Sequence, residues 1–407
     1  MSSAAPATAK VLFRHQPFLF YFWARAFSSF SYQIGAVAIG WQVYALTHSA
    51  FDLGMVGLVQ FLPTVILVFV AGHAADRYDR KRVVQICQIT EGLTAAFLAW
   101  GSFAGWLTVS EIFAAAAVFG AARAFESPAA AALLPGVVPT GLLQKGTAIS
   151  TAAFQVAMIS GPALGGLAYA IDPGVPYTVM GVFWLMAGLL NGSIKLDRPV
   201  TEKERPTLAA LFAGVRFVRS TPAILGTISL DLFAVLLGGA TALLPIYASD
   251  ILHTGPWGLG VLRGAPAVGA LLMTGALARY AITRKVGIRM FQAVIIFGLA
   301  TVVFALSRSL WLSLIALLIM GAADMVSVII RVSLVQLRTP DDMRGRVSAV
   351  NFLFINASNQ LGEFESGMTA ALFGAVPAAV LGGVGTVVVA LLWMKLFPSL
   401  REVERLE

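Results

Sequence analysis

The chain has 407 residues, 58% of them hydrophobic and 12% charged, with a formal charge of +8 and a single cysteine. Soluble globular domains carry about 25% Asp, Glu, Lys and Arg, so this chain has too few charges to cover a water-facing surface. Its apolar residues run in blocks of about 20, the length of a bilayer-spanning helix, and chain length therefore counts membrane crossings rather than soluble domains.

A lone Cys87 excludes an internal disulfide and a multi-cysteine metal site. The four histidines fall on no helix as paired ligands, and no nucleophile with its base is visible. A phosphate-cradling Gly-Lys-Ser or Gly-Lys-Thr loop is also missing from the sequence. No metal, no cofactor and no enzymatic activity are expected. Lys and Arg cluster between apolar blocks, which fits an anionic membrane surface and not nucleic acid.

Lys10, Arg14 and His15 precede an apolar stretch from Pro17 to Leu46, too long for a signal-peptide core, so it is expected to stay as the first helix. Helices are then expected near 18–46, 52–72, 83–106, 110–135, 146–171 and 175–195, and again near 222–249, 257–279, 289–307, 310–335, 347–373 and 376–397. This divides the chain into an N-terminal six-helix bundle (1–195), a cytoplasmic linker (196–221) and a C-terminal six-helix bundle (222–407). In the linker, Leu208, Leu211, Phe212, Val215 and Phe217 are spaced against Arg216 and Arg219, the pattern of an amphipathic surface helix; a plain solvated linker is the alternative.

One set of helix ends carries Lys10, Arg14, Arg77 to Arg82, Lys145, Arg284, Lys285, Arg338, Arg344, Arg346, Lys395 and Arg401. The other set carries Asp52, Glu111, Asp172 and Asp250 with Arg308. Basic ends stay cytoplasmic, so both termini are expected there, which requires an even number of crossings. The halves also resemble each other at an offset of about 200 residues. Gly120-Ala121-Ala122-Arg123 falls on Gly321-Ala322-Ala323-Asp324, Pro139 on Pro340, Gly161 on Gly362 and Gly166 on Gly367. Such symmetry suggests duplicated bundles around a midplane cavity.

After the second helix comes Gly72-His73-Ala74-Ala75-Asp76-Arg77-Tyr78-Asp79-Arg80-Lys81-Arg82. A small Gly72 lets helices approach, and Asp76 is placed to meet Arg80 or a helix N-terminus; the basic run also serves as a topology signal. This stretch resembles the loop signature of the major facilitator superfamily. The resemblance implies an all-α integral membrane protein with twelve transmembrane helices in two pseudo-symmetric six-helix bundles. It also implies that Gly72, Asp76, Arg77 and Arg80 latch the outward-facing state. The matching loop of the second half, Arg279 to Arg289, lacks the Gly and Asp.

In the fifth helix, Ser160-Gly161-Pro162-Ala163-Leu164-Gly165-Gly166 is similar to the superfamily's antiporter signature, which implies an exporter; helix packing alone is the other use of Gly161, Pro162, Gly165 and Gly166. Arg25, the run Trp41 to Ser49, Asp52-Leu53-Gly54 and Leu62-Pro63 resemble the branch of enterobactin exporters and macrolide efflux proteins. That branch implies expulsion of a siderophore or drug from bacteria in exchange for protons.

An ionisable side chain at bilayer depth costs about 2.5–3.5 kcal/mol on insertion scales and needs a partner or water. Arg25, Glu91, Arg123, Glu126, Asp231, Arg263, Asp324, Arg331, Glu363 and Glu365 fall there. Asp231, Glu363, Asp324 and Glu126 are the proton-coupling candidates. Arg25 is expected to pair with Asp231, while Arg123 with Glu126, and Asp324 with Arg331, share helix faces. Asn351, Asn356, Asn359 and Gln360 make the eleventh helix polar enough to line water. Arg25, Ser29, Tyr32, Gln33, Asn356 and Asn359 are the substrate-cavity candidates. The expected protein is a monomeric inner-membrane antiporter whose partners are a small solute, protons and the bilayer. An uptake carrier or a lipid or lysolipid flippase would share the fold and the loop motif.

Overall fold

The computed structural model describes residues 9–139, 141–195, 208–280 and 282–405, and every regular element among them is helical. The long helices of the first half are α1 Gln16–Thr47, α2 Ala50–Arg77, α3 Arg80–Phe103, α4 Val109–Val137, α5 Leu143–Ile171 and α6 Gly174–Gly192. Those of the second are α7 Pro222–Leu237, α8 Gly255–Arg279, α9 Val286–Leu306, α10 Leu310–Arg338, α11 Asp341–Phe373 and α12 Ala375–Leu396. All twelve expected segments are present.

The seventh segment departs from expectation because it is broken. After α7 the chain continues as a 3-10 turn Ala240–Leu243, an α turn Leu244–Ile246 and a π turn Tyr247–Ile251. A Cβ on Gly238 would meet the Ala234 carbonyl oxygen at 2.7 Å and one on Gly239 the Gly362 carbonyl oxygen at 2.5 Å, so only glycine fits these close approaches, and Pro245 has no N–H for the helical ladder.

Nine of the twelve segments are long and apolar enough to cross a membrane among the described residues. The other three, α1, α4 and α11, have 32, 29 and 33 residues. At about 1.5 Å per residue they are long enough to span, and they differ from the other nine in being more polar. They are also the helices that carry Arg25, Arg123, Glu126 and Glu363.

Helix ends follow local chemistry. Asp79 caps α3 by accepting from the Lys81 backbone N–H at 3.0 Å. At the start of α4 the Thr108 backbone N–H donates to Glu111 Oε2 at 2.9 Å, half of a capping box. Between α11 and α12 sits Gly374 at φ +91°, a backbone conformation that favours glycine.

The described chain divides into two compact units, Met1–Leu46 with Val59–Arg205, and Thr47–Leu58 with Pro206–Glu407. The expected boundary thus shifts, because the first turns of α2 pack with α11: Gly54 lies against Gly367 and Phe51 against Phe364. The linker helix Leu208–Ser220 also belongs to the second unit. Its inward face is Gly214 and Val218, packed on Arg346 and Val350 of α11, while Phe212, Arg216 and Arg219 are exposed. The helix thus has the two unlike faces that its pattern predicts, with the packed one set against protein. The charged run 196–207 that precedes it lies outside the described residues.

Small residues set the closest approaches. In the second unit a Cβ on Gly321 of α10 would collide with the Pro266 carbonyl of α8. In the first, a Cβ on Gly165 of α5 would meet the Ile34 carbonyl oxygen of α1 at 3.0 Å. Gly321→Ala is expected to destabilise the protein by about 1–3 kcal/mol through overpacking. Gly275→Ala, an exposed helical position with nothing within 4 Å, should match or exceed wild type. Thermal unfolding of both variants in detergent is the measurement; equal melting points would show that the α8–α10 approach is not tight.

Candidate functional site

The second unit places one cation between two acids. Arg331 on α10 is 8% exposed, and its Nη1 pairs with Asp231 Oδ1 of α7. Its Nη2 lies 3.7 Å from Asp324 Oδ1, and its Nε donates to the Ser327 carbonyl at 3.4 Å. Asp324 and Arg331 are seven residues apart and so return to one helix face, as the sequence predicts. Asp231 is 8% exposed as a residue, whereas the Asp324 side chain keeps 47% exposure. On the same helices Leu230, Ala234, Ile330 and Leu334 join Val294 of α9 in one buried apolar cluster. Arg331, in the same unit, is the partner that the structure gives to the Asp231 carboxylate; the sequence offered Arg25 of the first unit for it.

Glu363 of α11 occupies a niche that glycine opens. A Cβ on Gly57 would stand 3.0 Å from Glu363 Oε2, so any larger residue there displaces the carboxyl. Arg263 of α8 is the cation whose field Glu363 feels. Glu365 turns away as expected and accepts from Thr369 Oγ1 at 2.8 Å. Asn359 is exposed, but its Nδ2 donates to the Ile355 carbonyl at 2.9 Å, so part of its polarity is spent on its own helix. Asn356 is half-buried on the same helix.

In the first unit Glu126 of α4 accepts from Ser28 Oγ of α1 at 3.1 Å and from Gln88 Nε2 of α3 at 2.8 Å. Asn191 Nδ2 of α6 donates to Gln88 Oε1 at 2.8 Å, which fixes the amide's orientation. Arg123 does not neutralise Glu126 through an ion pair among the described residues; its guanidinium stacks over the Tyr32 ring at 3.8 Å. That is a correction, and its cause is the aromatic face α1 presents. Of the α1 candidates, Arg25 and Gln33 are half-buried, Tyr32 is exposed and Ser29 is buried. The serine that reaches the carboxylate is Ser28, which the sequence reading passed over along with Gln88 and Asn191; Glu91 it named only among the membrane-depth charges. The serine's signal was available: Ser28, Tyr32 and Gly35 share one helix stripe.

Gly161, Pro162, Gly165 and Gly166 of α5 are all buried, and Gly161 and Gly165 face Gln33 and Ile34 of α1. Their packing use is direct. Arg77 ends α2 exposed and Arg80 opens α3 half-buried, while the side-chain positions at Gly72 and Asp76 lie outside the described residues.

Twelve long helices with partnered charges at membrane depth define a multi-pass membrane transporter of the major facilitator fold, not an enzyme. The chain belongs to the transmembrane secretion effector family, whose model matches residues 7–407. Among curated relatives it is similar to the enterobactin exporter EntS of Citrobacter koseri, 27% identical over 391 residues that cover 95% of this chain and 93% of that one. The EntS of Salmonella paratyphi A is 26% identical over 392 residues, 95% and 94% of the two chains. Among solved structures, a mutant of the nucleoside transporter NupG superposes with a TM-score of 0.75 at 13% identity, covering 94% and 100% of the two chains. A bacterial homologue of the lysosomal transporter Spinster, in an inward-facing and unoccupied conformation, gives a TM-score of 0.71 at 13% identity, covering 98% and 97%. These structures establish the fold.

Removing one member of a buried ion pair costs about 3–5 kcal/mol, because the other charge is left uncompensated. Arg331→Ala and Asp231→Leu are each expected to lose that much in thermal unfolding in detergent, and the double variant Asp231→Leu/Arg331→Met to recover most of it. Asp324→Asn, at the exposed end, should lose about 1 kcal/mol or less. Additive losses in the double variant would show that the pair is not the stabilising unit.

Proposed function

We propose that this protein is a proton-coupled exporter of a small organic solute of siderophore or drug-like kind, working by alternating access in the bacterial inner membrane. It acts as a monomer with both termini in the cytoplasm. The observation that carries the reading is the single guanidinium shared by Asp231 and Asp324. One cation balances one carboxylate, so with all three groups ionised the cluster holds one uncompensated negative charge among apolar side chains. That charge costs least while the Asp324 end can reach water. Binding of a proton at Asp324 makes the cluster neutral and lowers the cost of closing it away from water.

A proton then biases which conformation is favoured, which is what coupling requires. Asp231 serves as the fixed counter-charge that keeps Arg331 in place, and Asp324 is the exchangeable site. Glu363, held between Gly57 and the field of Arg263, is a further proton-coupling residue, and Glu126 takes part in coupling in the first unit as the hydrogen-bonded acid there. For the solute, Arg25, Ser29, Tyr32, Gln33, Asn356 and Asn359 supply contacts, with the arginine suited to an acidic or catecholate oxygen. The loop residues Gly72, Asp76, Arg77 and Arg80 act as the conformational latch, and Gly161, Pro162, Gly165 and Gly166 hold α5 against α1. The export direction and the solute class rest on the family and on the enterobactin exporters among the relatives.

The test is export by reconstituted proteoliposomes under an imposed pH gradient, with a panel of catecholate siderophores and cationic drugs. Wild type should move at least one of them and consume the gradient. Asp324→Asn should lose gradient-driven accumulation while keeping solute exchange across the membrane, because the neutral amide locks the cluster in its protonated charge state. Full gradient-driven export by Asp324→Asn would sink the assignment.

A further inference from the structure

The hydrogen bonds of the first unit divide two acids, the half-buried Glu126 and the buried Glu91, into two kinds. Glu126 accepts from two neutral donors, Ser28 Oγ and Gln88 Nε2, the second held in place by Asn191. Donors converging on one carboxyl oxygen favour the anion. Glu91 lies three residues after Gln88 on α3 and so on the same helix face. It is 3% exposed, and its Oε2 has no hydrogen-bond partner among the described residues.

The surroundings of Glu91 offer little to an anion. The charge it feels most is that of Glu126, which repels, followed by that of Arg123, whose guanidinium is drawn over Tyr32. On its own helix the nearest titratable group is the Cys87 thiol, which senses both acids. From α1, Arg25 and Tyr21 act around Glu126 rather than at Glu91. The helix packed most closely on α3 is α6, where Gly181 and Gly188 admit the α3 backbone; α6 has no charged residue, and its one titratable group is Tyr177. An ionised carboxyl there would be buried, unbonded and beside another anion. With a proton, it is neutral and gains a donor.

We propose that Glu91 is a second proton-binding site, located in the N-terminal unit: of the two acids, the fully enclosed Glu91 carries an exchangeable proton and the hydrogen-bonded Glu126 the negative charge. This rests on the reading of the chain as a proton-coupled transporter and adds a site separate from the Asp231–Arg331–Asp324 cluster. Two acids whose surroundings differ in this way divide the roles of proton carrier and anion between them. It also assigns Gln88 and Asn191 a positioning role, since their chain of amides aims one N–H at Glu126 and none at Glu91.

Infrared spectroscopy of the purified full-length protein in a detergent without ester groups reads the site directly, through the carbonyl stretch of a protonated carboxyl, which a carboxylate does not show. At neutral pH the wild type should show that band, shift it in heavy water and lose it as pH is raised. Glu91→Gln should remove it, and Asp324→Asn should leave it in place. In Glu126→Gln the band should disappear at lower pH than in wild type, because a repelling anion has gone; this holds even where Glu91→Gln does not fold. A band unchanged in folded Glu91→Gln, or one whose titration ignores Glu126→Gln, overturns the proposal. Failure of gradient-driven export in wild-type vesicles would count against the transport reading alone, since the band is measured without flux.

Discussion

A charge that cannot reach bulk water must find its counter-charge, its hydrogen bonds or its proton inside the helix bundle, because lipid supplies none of them. This constraint arranges the interior of both units. Arg331 satisfies it for Asp231 by a buried ion pair and for Asp324 by a longer contact at the wet end of the cluster. Glu126 satisfies it with a serine and an amide, and Arg123 with an aromatic face. Apart from Asp324, whose partner is on its own helix, these groups draw partners from neighbouring helices, so the charges hold the helices in register as much as the helices hold the charges.

Such partnerships need backbones close enough for short side chains to meet. Between lipid-embedded helices there is little hydrophobic drive, and close packing at small residues takes its place. Gly165 seats α5 on the Ile34 carbonyl of α1, and Thr64 of α2 donates across to the Gly120 carbonyl of α4 at 3.0 Å. In the second unit Gly57 leaves the volume that the Glu363 carboxyl occupies. The glycines and the ionisable residues are therefore one design element: replacing either disturbs the geometry of the other.

The number, order and limits of the helices were legible because apolar blocks of bilayer length and clustered basic ends are strong signals. So was the kinship of Asp324 and Arg331, since seven residues return to one face of any helix. What sequence spacing could not give was the choice of partner across helices. Asp231 had Arg25 and Arg331 as rivals at similar depth, and only the packing of α7 on α10 decides between them. The break after Leu237 was hidden for a related reason: Gly238, Gly239 and Pro245 lie in a run apolar enough to read as continuous helix. Ser28, Gln88 and Asn191 escaped notice because uncharged polar residues carry little insertion cost and become significant only once they converge on Glu126.

The internal repeat adds a final step. Arg123 of α4 falls on Asp324 of α10, and Glu126 on Ser327, at the same offset that aligns the flanking glycines. The repeat thus keeps a charged position on the same face of equivalent helices while inverting its sign. In the second unit the acid at that position finds Arg331 two turns along its own helix, which in turn holds Asp231. In the first unit the base at that position turns to Tyr32, and the acid beside it is left to uncharged donors. One half therefore carries an excess acid around a fixed cation, and the other carries two acids with their cation drawn aside. Duplicated scaffolds whose equivalent positions differ in sign thus give their acids different partners, and a proton can favour one conformation only to the extent that such an acid binds it more tightly in that conformation.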